Sequence, residues 1–388
     1  MDSEMTISEN SEPLRVLHVI GAMDRGGAET LIMNVYRTMN RDAIQFDFLV
    51  HKVGKADYDD EIEGLGGRIY RLDRFTGLNY FAYKHSACSF FDNHRRYLAV
   101  HVHIGSCAPI ILSAAKSHGM PTIAHSHNTN SPDTLSELPF RLVSYPTRFL
   151  ADYYLACSKQ AGLDRFGTRV VSSNRFQVLK NGINASSFRF DQQKRICSRA
   201  ALGFASDDYV IGNVARLTSQ KNQSFLLDAF SEARADNPRL KLLLIGRGED
   251  ETNLKDKVEI LGLHDCVKFL GVREDIPELM AAMDCFAFPS KWEGFGIVAL
   301  EAQASGLPCL LSDQLPEMVF LSTRARRLPV KASDVAAWSE ALLRSSRQEL
   351  EGQRKLGYEI VKEAGFDIKD VAATLTNLYL FLSRDKLK

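Results

Sequence analysis

At 388 residues the chain is too long for one ordinary hydrophobic core and calls for two domains. Hydrophobic residues at 45% and charged residues at 25% are the balance of a globular protein, and argue against a disordered or membrane-embedded chain. Lysine plus arginine (48) equals aspartate plus glutamate (48), which argues against a general nucleic-acid binder.

The seven cysteines (Cys88, Cys107, Cys157, Cys197, Cys266, Cys285 and Cys309) form no CxxC pair and are expected as buried, reduced thiols. The opening MDSEMTISENSEP is polar, lacks the apolar core of a signal peptide, and is expected as a frayed tail over 1–13. No later stretch approaches the ~18 apolar residues that a membrane span needs. The expected location is therefore the cytoplasm, with peripheral contact at the inner membrane face left open.

In chain order, LRVLHVI (14–20) reads as a buried strand, followed by strands at 46–52, 68–72, 98–104 and 121–127. Amphipathic stretches at 28–39, 59–65, 80–96 and 109–118 read as the helices between them. This alternation predicts a parallel sheet with helices on both faces. The rhythm restarts with strands at 209–217, 240–246, 267–271, 285–290 and 308–313, and helices at 222–235, 250–262, 275–283 and 296–305. The reading is α/β, with two doubly wound Rossmann-like sheets over 14–185 and 186–365 facing across a cleft. Asn181-Gly182 supplies turn chemistry near the boundary. The last segment, 366–388, has Val371, Leu375, Leu378 and Leu382 at helical spacing and is expected to pack back toward the first domain.

The densest chemistry lies in PSKWEGFGIVALEAQASGLP (289–308). Glu293 and Glu301 have seven residues between them. Gly294 and Gly296 flank Phe295, and a helix follows, so the amides of Phe295, Gly296, Ile297 and Val298 lie at a helix N-terminus. Such amides attract a phosphate, and the glycines allow close approach. Glu301 could reach ribose hydroxyls, and Glu293 sugar hydroxyls or a developing cation.

E-x7-E before EAQASGLP resembles the signature of glycosyltransferase family 4, the group 1 glycosyltransferases of GT-B fold. VARLTSQKNQSFLLDAF (214–230), LLLIGRGED (242–250), FLGVREDIPELMAAMDCFAFPS (269–290) and KNGINASSF (180–188) resemble further segments of that family in order. GGAE (26–29) and AHSHN (124–128) resemble its exopolysaccharide and capsule branch.

The resemblance implies a retaining, metal-independent transferase. It would move a sugar from a nucleotide-sugar, a UDP-sugar by family frequency, to a glycan or polyprenyl-linked acceptor in exopolysaccharide or capsule biosynthesis. No metal or other cofactor is implied, because Arg216 and Lys221 match the basic pair that neutralises the donor diphosphate. Gly271, Val272 and Arg273 match the loop that reads the base. Glu301 matches the ribose ligand and Glu293 the group beside the donor sugar. Gly26 and Gly27 match a loop that meets donor phosphate or acceptor. His127 aligns with the active-site histidine, with His125 as the competing choice. His101 and His103 form another alternating pair, read as strand histidines that satisfy local hydrogen bonds.

DYD at 57–59 imitates the DxD metal motif but sits in an acidic run and reads as a solvated surface. GRG at 246–248 lacks a third glycine and is weak as a nucleotide motif. In LSELPFRLVSYPTRFLADYYL (135–155), Phe140, Tyr145, Phe149 and Tyr154 mingle with Arg141 and Arg148. They read either as a core-packed helix pair or as a face that rests on anionic lipid. The rivals are a nucleotide-sugar epimerase and a non-catalytic partner subunit on the same fold.

Overall fold

A computed structural model describes residues 12–103, 105–127, 142–346 and 354–385. The chain divides into two compact units, residues 1–182 with 368–388 and residues 183–367.

In unit 1, seven strands run parallel in the order β3-β2-β1-β4-β5-β6-β7. They are β1 (Leu14–Ile20), β2 (Ile44–Val50), β3 (Arg68–Arg71), β4 (Tyr97–Val102), β5 (Thr122–Ser126), β6 (Tyr153–Ala156) and β7 (Phe176–Val178). Strands covered on both faces must be apolar almost throughout, and β1 and β2 are buried along five or more consecutive residues. Helix Ile368–Asp385 returns to this unit. Its stripe of Val371, Leu375, Leu378, Tyr379 and Leu382 joins Val16, Phe46, Phe48 and Ile123 in one core. Gly182 permits the approach, since a Cβ there would lie 3.0 Å from Ile368 Cα.

Unit 2 carries six parallel strands in the order β10-β9-β8-β11-β12-β13. These are β8 (Tyr209–Val214), β9 (Leu240–Ile245), β10 (Val267–Gly271), β11 (Cys285–Phe288), β12 (Cys309–Ser312) and β13 (Ala325–Leu328). Buried Asp284, just before β11, accepts from Arg195, Arg199 and the Val210 amide, and so fixes the helix Gln192–Ala201 against the strands.

Three strands lie outside the predicted set: β6, β7 and β13. Residues 153–156, expected within a helical or lipid-facing segment, form β6 with Tyr154 fully buried. Phe140 and Arg141 lie outside the described residues, as does most of the tail over 1–13. Five cysteines are buried, but Cys197 is exposed and Cys88 half-buried. Asp59 is not a solvated surface charge. It is buried, accepts from the Ala56 amide and pairs with Arg71 at 2.7 Å.

Candidate donor site and histidine cluster

The direction in which the chain leaves the sheet reverses between β8 and β11 in unit 2, and between β1 and β4 in unit 1. Such switch points open crevices beyond the carboxyl ends of the strands, where ligands bind in open α/β sheets.

At the unit 2 crevice the loop after β8 carries Arg216 and Lys221, and the loop after β11 carries Glu293. Backbone and side chains stitch the two together. Lys291 N donates to Gln220 O (2.8 Å), Gln220 Nε2 to Trp292 O (2.8 Å) and Asn222 Nδ2 to Pro289 O (3.2 Å). Asn222 adopts a left-handed φ of 61°, which turns the chain into the helix Gln223–Asp236. Lys221 Nζ bonds Glu293 Oε1 and stands 5.1 Å from the Phe288 ring centroid. Both members of the pair are largely withdrawn from water, at 14% and 8% side-chain exposure. Arg216 is exposed, and its guanidinium makes no hydrogen bond or ion pair with the described residues.

Beyond Glu293, Phe295 is buried against Phe366, and Gly296 takes φ 84° as N-cap of the helix Ile297–Ala304. The N–H groups of Ile297 and Val298 find no acceptor among the described residues, as at any helix start. Glu301 follows one turn later. Its carboxyl makes no hydrogen bond with the described residues, and burial pushes it up to about 7.

The loops after β9 and β10 complete the rim. Gly271 has φ 63°, Val272 is exposed, and Arg273 is tied to Asp275 at 2.7 Å, so the loop offers backbone rather than a free cation. The GRG turn has a packing reason that its weak motif did not suggest. Gly246 has φ 135°, and a Cβ there would overlap the Ala215 carbonyl oxygen, while one on Gly248 would overlap that of Leu217. Leu217 N donates to Arg247 O (3.0 Å), so this turn carries the segment that holds Arg216. Gly246→Ala is expected to destabilise unit 2 by about 1–3 kcal/mol through backbone strain, read in urea unfolding. An unchanged midpoint would refute this packing argument.

In unit 1, Gly26 is the N-cap of the helix Gly27–Thr38, but a Cβ on Gly26 would overlap Glu29 Oε2. The Glu29 carboxyl, raised by burial, lies over these first amides.

His127 belongs to a larger assembly. His18 on β1, His101 on β4, His103 just past it, His125 on β5 and His127 just past it share one face of three adjacent strands. Two hydrogen-bonded rows result. His18 Nδ1 meets His103 Nε2 (2.9 Å), and His103 Nδ1 meets His127 Nε2 (2.7 Å). Tyr379 Oη meets His101 Nδ1 (2.9 Å), and His101 Nε2 meets His125 Nδ1 (3.2 Å). Burial lowers all five pKa values, with neighbouring histidines adding to it for all but His127. His18 falls to about 3, His127 to about 4, and the other three well below the usual imidazole range. All five are neutral at pH 7.

At the β1/β4 switch point lies a cavity of about 450 Å³ lined by Gly21, His51, Lys52, Arg74, Phe75 and Ser106. A second, of about 550 Å³, shares Phe75 and Ser106 with it and continues along Tyr80, Ile110, Leu142 and Leu150. Near this apolar stretch Leu78 and Phe81 are exposed, as are Tyr145 and Phe149. Sequence reasoning singled out none of His18, Lys52, Arg74 or Ser106. Each sits alone in its own segment, and only the strand order brings His18 into the histidine cluster and Lys52, Arg74 and Ser106 to one cavity.

The profile described as Glycosyltransferase Family 4 matches residues 25–187, and that described as Glycosyl transferases group 1 matches residues 195–362. The putative glycosyltransferase EpsF of Bacillus subtilis is 34% identical over 377 residues, covering 95% of this chain and 97% of its own. The UDP-Gal:alpha-D-GlcNAc-diphosphoundecaprenol alpha-1,3-galactosyltransferase of Escherichia coli is 25% identical over 64% of this chain and 66% of its own. Among solved structures, HepE of Anabaena in complex with UDP superposes with a TM-score of 0.77 at 20% identity, over 94% of this chain and 99% of its own. Among the described residues no helix is long and apolar enough to cross a membrane.

Proposed function

Since the chain belongs to the group 1 glycosyltransferases of family 4, with both units of the GT-B type, we propose that it is a retaining, metal-independent transferase acting on a UDP-sugar. The acceptor is a polyprenyl-linked glycan of exopolysaccharide or capsule assembly. The observation that carries this reading is the Lys221–Glu293 pair at the β8/β11 switch point, beside exposed Arg216 and the free amides of Ile297 and Val298.

Fixed cations and amides can neutralise a leaving diphosphate as its bond to the anomeric carbon breaks, which is the work a metal does elsewhere. The transition state resembles an oxocarbenium ion. Glu293, already paired with Lys221, is a poor nucleophile. That counts against a covalent intermediate, so retention requires the acceptor hydroxyl to attack from the leaving-group side. The partnerless Glu301 carboxylate suits a ribose diol, because an ionised carboxylate accepts both hydroxyl protons. His127 has only Nδ1 left to offer a ligand. In unit 1 the cavity at Arg74 and Lys52, the latter paired with Asp24 at 2.7 Å, runs into an apolar one, which suits a phosphate head with a hydrocarbon tail. The Escherichia coli relative, named for a diphosphoundecaprenol substrate, supports the same acceptor class.

Two experiments test the donor. A thermal-shift screen of UDP-, GDP- and ADP-sugars in EDTA should show the largest shift with a UDP-sugar. A shift that requires added divalent metal would count against the reading. The second uses the Glu301 pKa of about 7. Binding favours the ionised form, so UDP-glucose affinity should rise about tenfold from pH 6 to pH 8, and Glu301→Gln should flatten that rise. A wild-type profile that is flat, or that falls, would remove Glu301 from the ribose.

A further inference from the structure

Three buried polar atoms without a hydrogen-bond partner among the described residues belong to residues that line one small cavity of unit 1. They are His125 Nε2, His127 Nδ1 and Thr147 Oγ1. Arg165, which donates through Nη1 to Ser144 Oγ (3.2 Å), lines it too, and so does Ala108 at the start of the helix Ala108–Ser117. Its volume is about 80 Å³. At roughly 30 Å³ per water that is room for two or three waters, or one tetrahedral anion.

The two histidine rows determine what the cavity is offered. A neutral imidazole has one N–H and one bare nitrogen, so fixing one end of a row fixes the other. Tyr379 Oη has His101 Nδ1 as its hydrogen-bond partner among the described residues and must donate to it, or leave its own proton without an acceptor. His101 then donates through Nε2 to His125 Nδ1, and His125 carries its proton on Nε2, toward the cavity. In the other row His18 Nε2 is buried against Phe46, 4.1 Å between ring centroids, and has no partner among the described residues. A bare lone pair is tolerated there better than an orphaned N–H. His18 therefore donates through Nδ1 to His103 Nε2, His103 through Nδ1 to His127 Nε2, and His127 keeps its proton on Nδ1. Both rows end in N–H donors at the cavity.

We infer that this cavity binds a small tetrahedral oxyanion, held by His125 Nε2–H, His127 Nδ1–H, the Thr147 hydroxyl and the Arg165 guanidinium. Nitrogens of His103, His125 and His127 lie within 4.8 Å of one another, close enough for a metal ion. A metal would need lone pairs where the rows present protons. It would also sit near Arg165, with no carboxylate among the described lining residues to balance its charge. Inorganic phosphate and the phosphoryl group of a sugar phosphate share the chemistry that fits. The site gives His127 a ligand of defined class, and it stands whether or not unit 2 transfers a sugar.

The test is calorimetric titration of the full chain with inorganic phosphate, glycerol 3-phosphate and zinc chloride separately, in chloride at constant ionic strength. It is paired with ¹⁵N NMR of the imidazoles. Saturable phosphate binding is expected, weakened about three- to tenfold by Thr147→Val, which removes one donor without changing shape. Arg165→Gln should weaken it at least as much. His125 Nε2 and His127 Nδ1 should be the protonated nitrogens and should shift on binding. Phosphate binding alone identifies a free anion, and binding of glycerol 3-phosphate as well identifies a substrate phosphoryl group. No phosphate binding by the wild type, an unchanged affinity in Thr147→Val, or stoichiometric zinc binding at these histidines would overturn the inference. A transferase inactive for other reasons would leave every one of these readouts intact.

Discussion

Lys221→Ala is expected to slow sugar transfer by about 10²–10³-fold, the usual loss when one fixed donor to a developing anion is removed. The same change strands Glu293, which is only 8% exposed, without its cation. The stability cost should lie between the ~1 kcal/mol of an exposed pair and the ~3–5 kcal/mol of a fully buried one. Chemistry and stability separate in a second variant. Lys221→Met with Glu293→Gln removes both charges, so it should recover most of the stability and none of the transfer. Arg216→Ala, exposed and without a partner among the described residues, should lose rate with no loss of stability. Initial rates and urea midpoints measured on all three variants check this. Wild-type rates in Lys221→Ala and Arg216→Ala would end the charge-stabilisation argument.

Unit 1 is expected to unfold in mild acid while unit 2 persists. The buried histidines 18, 101, 103, 125 and 127 have folded pKa values below the unfolded value of about 6.5. Depressed folded values mean that the unfolded chain binds more protons. Stability is therefore full above pH 6.5 and falls as pH drops through that value toward the folded ones. Each histidine withdraws roughly 1 kcal/mol between pH 7 and pH 5.5, so five withdraw about 5 kcal/mol, against a typical domain stability of 5–15 kcal/mol. Unit 2 has a single histidine, His264, which is exposed. Its Glu301 acts with the opposite sign. A raised folded pKa gives stability that is present at low pH and lost as pH rises through about 7. Hydrogen exchange at pH 7.5 and 5.5 should show unit 1 losing protection and unit 2 keeping it. Any of these five histidine side chains titrating near 6.5 in the folded protein would contradict this account.

That the candidate donor-site residues gather at the β8/β11 switch point was legible because they are close in sequence. Glu293, Gly296 and Glu301 fall within nine positions, and Arg216 and Lys221 within six, so local spacing already implied a shared loop or helix. The strand series was legible wherever apolar runs were bounded by turn chemistry, as in β1 and β9. The short strands β6, β7 and β13 were not, since three or four residues carry no periodicity of their own. Their place is set by pairing, as with Tyr154 beside Phe176. The histidine cluster was half legible. His125 with His127, and His101 with His103, alternate and so share strand faces. That the two faces coincide, with His18 opposite His101, depends on the order β1-β4-β5, which no local pattern encodes. Tyr379 reaches His101 from 278 residues away. Asp59 was misread for a related reason. An acidic run looks solvated until a distant cation, Arg71 on β3, is found against it.

The central claim is that side chains and amides of unit 2, without a metal, hold the diphosphate of the donor. The most direct measurement is calorimetric titration of UDP in EDTA into the wild type and the Arg216→Ala, Lys221→Ala double variant. Saturable binding by the wild type, unaltered by added magnesium and at least about tenfold weaker in the double variant, is the expected result. Binding that appears only with magnesium, or that is equal in the two proteins, would contradict it.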